Sequence, residues 1–331
     1  TSRKFGPHAC IRASRVLGAA THTDRLLGFL RGFLNRRASS LALSALDWDS
    51  TAVLVSVTVI FLKKPNIVTS PVNNPSLSVI HSSNLVCTAG NTNSYATMII
   101  VKSALTNYAQ RLRLRQVIRK QTAQINVTVA ILFSLGLPSN GKVPPELVQE
   151  ITQFDDILLA NYTDTYMNLT LKTITNLRFV HRHCLHTSPS FVFLDDDHGI
   201  NLTQLHEFFS KLSLSEVRRS IFGFINSKSP VLRTRKSKWF TEPEAFPFPK
   251  YPDYAAGPCY IIGAELIPKF SIAAAFTQFF PVEDVFLGII TAKFGLRVHP
   301  LPNVYLHRSK PPRRVFPLVA GLDFFGRKLN I

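Results

Sequence analysis

Four apolar residues and three aspartates stand together at Phe191-Val192-Phe193-Leu194-Asp195-Asp196-Asp197. The apolar run, half of it aromatic, predicts the buried end of a β-strand. Buried unpaired carboxylates are very costly, so the aspartates need either water or a cation. Carboxylates suit hard cations such as Mg²⁺ or Mn²⁺, whose usual partner is a substrate phosphate. An acidic strand exit or a helix N-cap is the alternative that this stretch alone leaves open.

Helix-like and strand-like segments alternate on both sides of this stretch. The expected helices are 96–121, which is basic, 145–154 and 165–184, and the expected strands are 126–135, 157–160 and 221–225. This alternation predicts an α/β layer fold with a largely parallel sheet. Such sheets bind ligands at the carboxyl ends of their strands, where the aspartates lie.

Composition restricts the class of partner. A chain of 331 residues with 46% hydrophobic and 18% charged residues is globular, and one catalytic domain with appendages is expected. The net charge of +18 indicates a polyanionic partner such as nucleic acid, an anionic membrane surface or a phosphate-bearing substrate. Nucleic acid is disfavoured, because the positive charge is scattered and no zinc-finger spacing or RNA-binding string occurs.

The N-terminal region divides by composition. Residues 1–37 are rich in Arg, residues 38–62 are largely apolar, and residues 63–95 are rich in Pro, Asn and Ser, as in a linker. The apolar segment fits a signal anchor, the first forty residues fit a mitochondrial transit peptide, and 52–62 fits a buried strand. Asp47 and Asp49 make the segment a poor membrane span.

Cysteines and glycosylation sequons bear on the compartment. The four cysteines have no zinc-site spacing, and their even number permits disulfides in an oxidising compartment. Four sequons, which begin at Asn126, Asn161, Asn168 and Asn201, suggest such a lumenal address.

A second acidic feature opens a later helix. Glu283-Asp284 begins an amphipathic segment that continues to Lys293, and acidic residues in a first helical turn are favourable for structural reasons alone. Before it lies an aromatic and Pro-rich loop, Trp239 to Tyr254. Such aromatic residues serve either as core plugs or as platforms for sugar rings.

The order of these motifs resembles the β1,3-glycosyltransferases of family 31, which use UDP-sugars. The resemblance covers about residues 96–312. The motifs that carry it are Glu150 with Asp156-Ile-Leu, Asp164-Thr-Tyr-Met-Asn-Leu-Thr-Leu-Lys-Thr173, Phe191 to Asp197, Lys238-Trp239, Tyr251-Pro-Asp-Tyr254, Gly257-Pro-Cys-Tyr260, Glu283-Asp284-Val285 and Tyr305-Leu-His307.

The resemblance implies a GT-A-type, Rossmann-like nucleotide-sugar-binding domain with a mostly parallel sheet. It implies an inverting hexosyltransferase that adds galactose or N-acetylglucosamine in β1,3 linkage to a glycan on protein or lipid. Asp284 would be the general base. Asp197 and His307 would hold Mn²⁺, with His299 as the competitor of His307.

Further roles follow from the same resemblance. Asp195, Asp196 and Arg119 would bind the donor. Acceptor or loop roles would fall to Glu283, Lys238, Trp239, Tyr251 and Tyr254. Packing and capping roles are expected for Asp164, Asn168 and Lys172. A disulfide between Cys184 and Cys259 is also expected.

Family members are type II Golgi membrane proteins. The resemblance therefore implies a cytosolic tail at 1–37, a signal anchor at 38–62, a stem at 63–95 and a lumenal catalytic domain at 96–331. No nucleic acid partner is implied.

Four positions depart from the family pattern. Ile118-Arg119 lacks the tryptophan that usually follows, and Gly257-Pro-Cys-Tyr260 replaces a Gly-x-Gly/Ala-Tyr pattern. Gly263 stands where serine is common, and His198 follows the aspartates where hydrophobic residues are usual. Divergent acceptor specificity is expected. Two other classes stay open, namely a non-catalytic glycan-binding relative and a basic, anion-binding interaction protein.

Overall fold

The computed structural model describes residues 70–83, 86–87, 96–125, 127–306 and 319–322. The expected cytosolic tail and signal anchor lie outside these residues. Among the helices that are described, none has the length and apolar character needed to cross a bilayer.

Eleven strands are found in the described ranges. They are β1 (Val79–His81), β2 (Thr97–Lys102), β3 (Val129–Leu137), β4 (Ile157–Thr163), β5 (Ser190–Asp195), β6 (His198–Ile200), β7 (Ile221–Asn226), β8 (Tyr254–Gly263), β9 (Val298–Pro300), β10 (Val304–Tyr305) and β11 (Ala320–Leu322). Eight form one sheet in the order β1-β4-β3-β2-β5-β8-β7-β9, and β10-β11-β6 form a small second sheet.

The middle of the large sheet is parallel. Strands β4, β3, β2 and β5 run in one direction, while β8 is antiparallel to both of its neighbours and β1 is antiparallel to β4. All six residues of β2 are buried, as expected of a central strand covered on both faces. The predicted α/β fold with a largely parallel sheet is therefore confirmed.

Helices cover both faces of the sheet. They are α1 (Tyr108–Ile125), α2 (Pro145–Phe154), α3 (Leu169–Phe179), α4 (Leu202–Ser210), α5 (Leu214–Arg219), α6 (Ile267–Ala275) and α7 (Glu283–Lys293). Successive side chains of β2 enter different cores, because strand side chains alternate between faces. Met98 and Ile100 belong to one hydrophobic cluster, with residues of α3, α6 and α7. Ile99 and Val101 belong to the other, with residues of α1 and α4.

The prediction of helix over 96–121 is wrong for its first part. The segment Thr97–Lys102 is the central strand β2, and the helix begins only at Tyr108. The continuous apolar run Met98-Ile99-Ile100-Val101 has no helical period and is buried on both faces, which is typical of a central parallel strand.

The expected disulfide between Cys184 and Cys259 is also wrong. Cys184 is bonded to Cys87, and Cys259 is a buried free thiol. The sheet explains this, because Cys184 lies in the cluster on one face and Cys259 in the cluster on the other. Burial raises the pKa of the Cys259 thiol to about 12, so this thiol is unreactive.

Described residues of the segment 63–95 contact the catalytic fold. The amide of Asn73 donates to the Ala275 carbonyl, and the Arg178 guanidinium donates to the Pro75 carbonyl. Strand β1 extends the sheet beside β4, and the disulfide binds Cys87 to the segment after α3.

Candidate active site

The site lies where β2 and β5 end side by side. Lys102 and Asp195 are register partners at the carboxyl ends of these two strands. The Lys102 Nζ atom lies 3.0 Å from Asp195 Oδ1 and donates to Glu283 Oε1 at 2.6 Å and to the Gly257 carbonyl at 2.7 Å. One buried cation thus joins the aspartate stretch to the first turn of α7.

The charged groups in this cluster shift one another's pKa values. Burial alone would lower the pKa of Lys102, but Asp195 and Glu283 raise it well above its usual value. Burial raises the pKa of Glu283 to about 7, although Lys102 opposes that shift. The second oxygen of Glu283, Oε2, is buried without a hydrogen-bond partner in the described structure. Lys102 therefore stays charged, and Glu283 titrates near neutrality.

Asp284 is held by backbone amides. Its Oδ2 accepts from the Gly257 amide at 3.1 Å, and its Oδ1 accepts from the amide of Val285 at 2.8 Å. Each carboxylate oxygen can accept two hydrogen bonds, so each keeps capacity for a second donor. Burial raises the pKa of Asp284 in spite of the two amide bonds. A carboxylate of this kind, fixed and partly desolvated, can accept a proton from a hydroxyl.

Asp196 holds the loop that follows β2. Its Oδ2 accepts hydrogen bonds from Ser103 Oγ at 2.7 Å, the amide of Ala104 at 3.2 Å and Asn107 Nδ2 at 3.0 Å. Burial raises its pKa, and these three donors oppose the shift. The visible contacts of Asp196 are therefore with the protein itself.

Asp195, Asp197 and His198 form the candidate metal centre. Each offers one ligand atom, and these atoms all lie within 4.8 Å of one another. The two carboxylates fit Mn²⁺, which prefers oxygen ligands, and the imidazole is either a third ligand or a hydrogen-bond donor to Asp197. His307, the other expected ligand, lies outside the described residues. His299 is exposed on β9, with its ring 5.8 Å from that of Phe222, and does not belong to this group.

Two arginines of α1 lie beside the site, Arg111 buried and Arg115 partly buried. Arg111 donates to both oxygens of Glu150, at 2.8 and 2.6 Å, and its third nitrogen donates to Ser103 Oγ at 3.0 Å. Arg115 donates to Glu150 and Asp156. The structure places Arg119, the arginine expected to bind the donor, on the exposed side of the same helix.

The aromatic loop carries an exposed cluster. The Trp239 indole donates to the Tyr166 hydroxyl at 2.9 Å, and Lys238 Nζ lies 4.4 Å from the centre of the Trp239 ring. Trp239 and Tyr166 are both about half exposed. Tyr251, by contrast, is buried with its hydroxyl 2.8 Å from Thr241 Oγ1, and its ring packs edge-on against that of Tyr254.

The residues expected to pack or cap make structural contacts. The Asp164 carboxylate accepts from Lys172 Nζ at 2.9 Å and from the Gly136 amide at 3.0 Å. Lys172 also donates to the Ser103 carbonyl, and the Asn168 side chain donates to the Thr163 carbonyl. These contacts fit the packing role.

Sequence reasoning missed Lys102, Arg111 and Asn107. Lys102 was hidden within a predicted helix, although a lysine at the end of a buried apolar run needs an acidic partner and could have been noticed for that reason. The acidic partners of Arg111 and Asn107 are 39 and 89 residues away in sequence, and no local pattern indicates them.

The sequence is similar to those of known proteins. The sequence model of the galactosyltransferase family matches residues 109–302, which is more than half of the chain. Human lactosylceramide 1,3-N-acetyl-β-D-glucosaminyltransferase is 27% identical over 206 residues, which is 60% of this chain and 54% of that protein. Human β-1,3-galactosyltransferase 5 is 28% identical over 207 residues, 62% of this chain and 65% of that one.

The chain thus spans about half the length of the first of these relatives. Among solved structures, the galactosyltransferase LgtC with donor and acceptor sugar analogues is 11% identical, with 68% of this chain and 86% of that chain covered. Its TM-score of 0.39 is too low to support an argument. The family match confirms the resemblance seen in the motifs, and the chain belongs to the galactosyltransferase family, within glycosyltransferase family 31.

Proposed function

We propose that this protein is an inverting, UDP-sugar-dependent β1,3-hexosyltransferase that adds galactose or N-acetylglucosamine to a glycan on protein or lipid. The observation that carries the proposal is the joining of two acidic motifs by Lys102. Its Nζ atom contacts Asp195 beside the candidate metal ligands and Glu283 beside the candidate base. The names of the relatives, a β-1,3-galactosyltransferase and a 1,3-N-acetylglucosaminyltransferase, support the choice of sugars.

Asp284 is the general base in this proposal. Its carboxylate takes the proton of the acceptor hydroxyl while that oxygen bonds to the anomeric carbon of the donor sugar. The bond from that carbon to the diphosphate breaks, and its electron pair leaves with UDP. A single displacement inverts the anomeric centre, so an α-linked donor gives a β-linked product. The two amide bonds to Asp284 hold the carboxylate in one orientation.

Mn²⁺ is the proposed metal, with Asp197 and His307 as its protein ligands and Asp195 beside it. When bound, the metal offsets negative charge on the departing diphosphate. Lys102 remains protonated next to Asp195 and reduces the repulsion between that carboxylate and the other acidic groups.

Donor and acceptor roles are proposed for the remaining residues. Asp195, Asp196 and Arg119 are assigned to the donor nucleotide. Around the acceptor we place Lys238 and Trp239, whose exposed ring could stack on a sugar, with Tyr251, Tyr254 and Glu283 shaping the loop. We further propose a GT-A-type fold.

The proposed location is the Golgi membrane, in single-pass type II orientation. The basic segment 1–37 would be cytosolic, 38–62 the anchor and 63–95 the stem, whose described residues pack on the catalytic domain 96–331 in the lumen. The disulfide between Cys87 and Cys184 supports this location, because disulfides persist in oxidising compartments.

The test is a donor screen of the purified chain with Mn²⁺ and UDP-galactose, UDP-N-acetylglucosamine, UDP-N-acetylgalactosamine or UDP-glucose. Acceptors end in galactose or N-acetylglucosamine, and the product linkage is determined by NMR. We expect β1,3 transfer from UDP-galactose or UDP-N-acetylglucosamine. Asp284→Asn should reduce kcat by about 10²- to 10⁴-fold, as is typical when a general base is removed. Asp197→Ala should abolish transfer, because it removes a proposed ligand of Mn²⁺.

Glu207→Gln, on the exposed side of α4, is the control and should leave transfer unchanged. If the wild-type chain neither transfers nor hydrolyses any UDP-sugar, the non-catalytic glycan-binding function is favoured instead. If heparin binding survives both active-site substitutions and no transfer occurs, the protein is a basic, anion-binding interaction protein. Use of UDP-glucose alone would contradict the proposed donor class.

A further inference from the structure

His198 is fixed in place directly after the three aspartates. Asp195 ends β5 and His198 begins β6, so Asp196 and Asp197 form the turn between two strands. Strand β6 is itself paired with β11, where His198 is opposite Leu322. The imidazole is 4% exposed. The ring therefore has little freedom to rotate, in contrast to the carboxylate before it.

The ring contacts Asp197 at short range. His198 Nδ1 lies 2.6 Å from Asp197 Oδ1, and the Asp197 side chain is 56% exposed. An ionised carboxylate only accepts hydrogen bonds, so the proton of this contact is on Nδ1. The other ring nitrogen, Nε2, is buried and has no partner in the described ranges. The imidazole therefore contacts Asp197 through Nδ1, and its buried Nε2 is without a hydrogen-bond partner among the described residues.

We propose that His198 is a positioning residue for Asp197. Its Nδ1 donates to Oδ1 and fixes the carboxylate, so that Oδ2 would hold the metal, which would supply positive charge to the donor diphosphate. The inference rests on the proposed function, because it assumes that Asp197 is a metal ligand. It goes further in assigning a task to a residue type that replaces the hydrophobic residue usual at this position in the family. Hydrogen bonds to metal ligands typically change metal affinity by about 10- to 100-fold.

The opposing interpretation is that His198 binds the metal through its own ring nitrogen, together with Asp195 and Asp197. The amide variants separate the two. An Asn side chain places Nδ2 near the position of the histidine Nδ1 and can donate to Asp197, but an amide nitrogen does not bind a metal. A Gln side chain places its amide near the position of Nε2 and cannot replace the bond.

The experiment measures UDP binding to the purified chain by isothermal titration calorimetry at a series of Mn²⁺ concentrations, with thermal melting of each variant as the check on folding. We expect His198→Leu and His198→Gln to require about 10- to 100-fold more Mn²⁺ for half-maximal UDP affinity. His198→Asn should require a Mn²⁺ concentration within about threefold of that required by the wild type. Both amide variants keep a polar side chain, so their comparison decides the question even if His198→Leu does not fold.

Two results overturn the inference alone. If His198→Asn is as weak as His198→Gln while the wild type binds, the ring nitrogen is itself a ligand. If all variants bind as the wild type does, the contact has no role in metal binding. A wild-type chain that binds no UDP at any Mn²⁺ concentration would overturn the proposed function, and this inference with it.

Discussion

Lys102 and Glu283 form a buried ion pair between the end of β2 and the start of α7, with Nζ 2.6 Å from Oε1. Both side chains are less than 5% exposed. The residues are 181 positions apart in sequence. The pair therefore attaches the helix that carries Asp284 to the centre of the sheet, and the same ammonium group reaches Asp195. One lysine therefore contacts an acidic group of each motif, Asp195 and Glu283.

Lys102→Met tests this dependence. The substitution removes the charge and leaves Glu283 without its ion-pair partner, and breaking a buried pair in this way costs about 3–5 kcal/mol. We expect the free energy of unfolding, measured with urea, to fall by that amount. Lys120→Met, at an exposed position of α1, should change it by less than about 0.5 kcal/mol.

The double variant Lys102→Met/Glu283→Gln distinguishes the contribution of the ion pair to stability from that of side-chain packing. It removes both charges, so we expect it to recover a large part of the stability that Lys102→Met loses. A double variant as unstable as the sum of the two single variants would show that the ion pair contributes nothing beyond its parts.

The fold was predictable where a segment's neighbours in sequence are also its neighbours in space. The buried run Phe191–Leu194 and the helix that begins at Glu283 were predicted correctly from local pattern. Strand β2 was not, because only the five residues 103–107 separate this short, largely apolar strand from a basic helix of eighteen residues, and the two were merged.

The site was predictable to the level of its acidic motifs, and the resemblance to a family contributed most of the assigned roles. The cation that joins those motifs was not predictable, because its partners come from strands and helices far apart in sequence. The disulfide pairing was predicted wrongly for a related reason. Nothing in the sequence indicates on which face of the sheet Cys259 points.

Glu283 also makes stability depend on pH. Its pKa is raised to about 7 in the folded protein, from 4.5 for an unperturbed glutamate. Between these values the folded state holds the proton more tightly than the unfolded state does, so stability falls as pH rises from 4.5 to 7. The shift corresponds to roughly 3 kcal/mol.

Urea unfolding of the wild type and of Glu283→Gln at pH 5, 6, 7 and 8, without added metal, isolates this effect. The glutamine variant lacks the titrating group, so the wild type should lose stability relative to it as pH rises to 7. A difference that is constant over this range would contradict the assignment.

Gly263 explains one departure from the family pattern. A Cβ atom at this position would overlap the backbone of Arg218 and the carbonyl oxygen of Val217, neither of which is the end of a flexible side chain. Overpacking of this kind typically costs about 1–3 kcal/mol. Gly263→Ser, which introduces the residue common in the family, should therefore lower the melting temperature. An unchanged or higher melting temperature would show that the end of α5 can move aside.

Glu150 accepts from the buried Arg111 and the partly buried Arg115, and its charge should matter for the fold near the site. Burial would raise the pKa of Glu150, but hydrogen bonds from Arg111 and Arg115 lower it overall, so it is ionised. Glu150→Gln keeps the shape and removes the charge, and we expect a loss of about 3–5 kcal/mol in the free energy of unfolding. The control is Glu146→Gln, at an exposed position on the same helix, which should be nearly neutral. Equal stabilities of the two variants would contradict the assigned role.

The disulfide between Cys87 and Cys184 closes a loop with a sequence separation of 97 residues. Because it restricts the unfolded chain, its removal should cost about 2–5 kcal/mol. Cys87→Ser should therefore lower the free energy of unfolding by that amount. Alkylation of the unreduced protein in denaturant, followed by peptide mass spectrometry, checks the pairing directly. Label should appear on Cys259, while Cys87 and Cys184 should be recovered as one linked peptide pair. Label on Cys87 together with a linked pair that contains Cys259 would restore the pairing expected from the family.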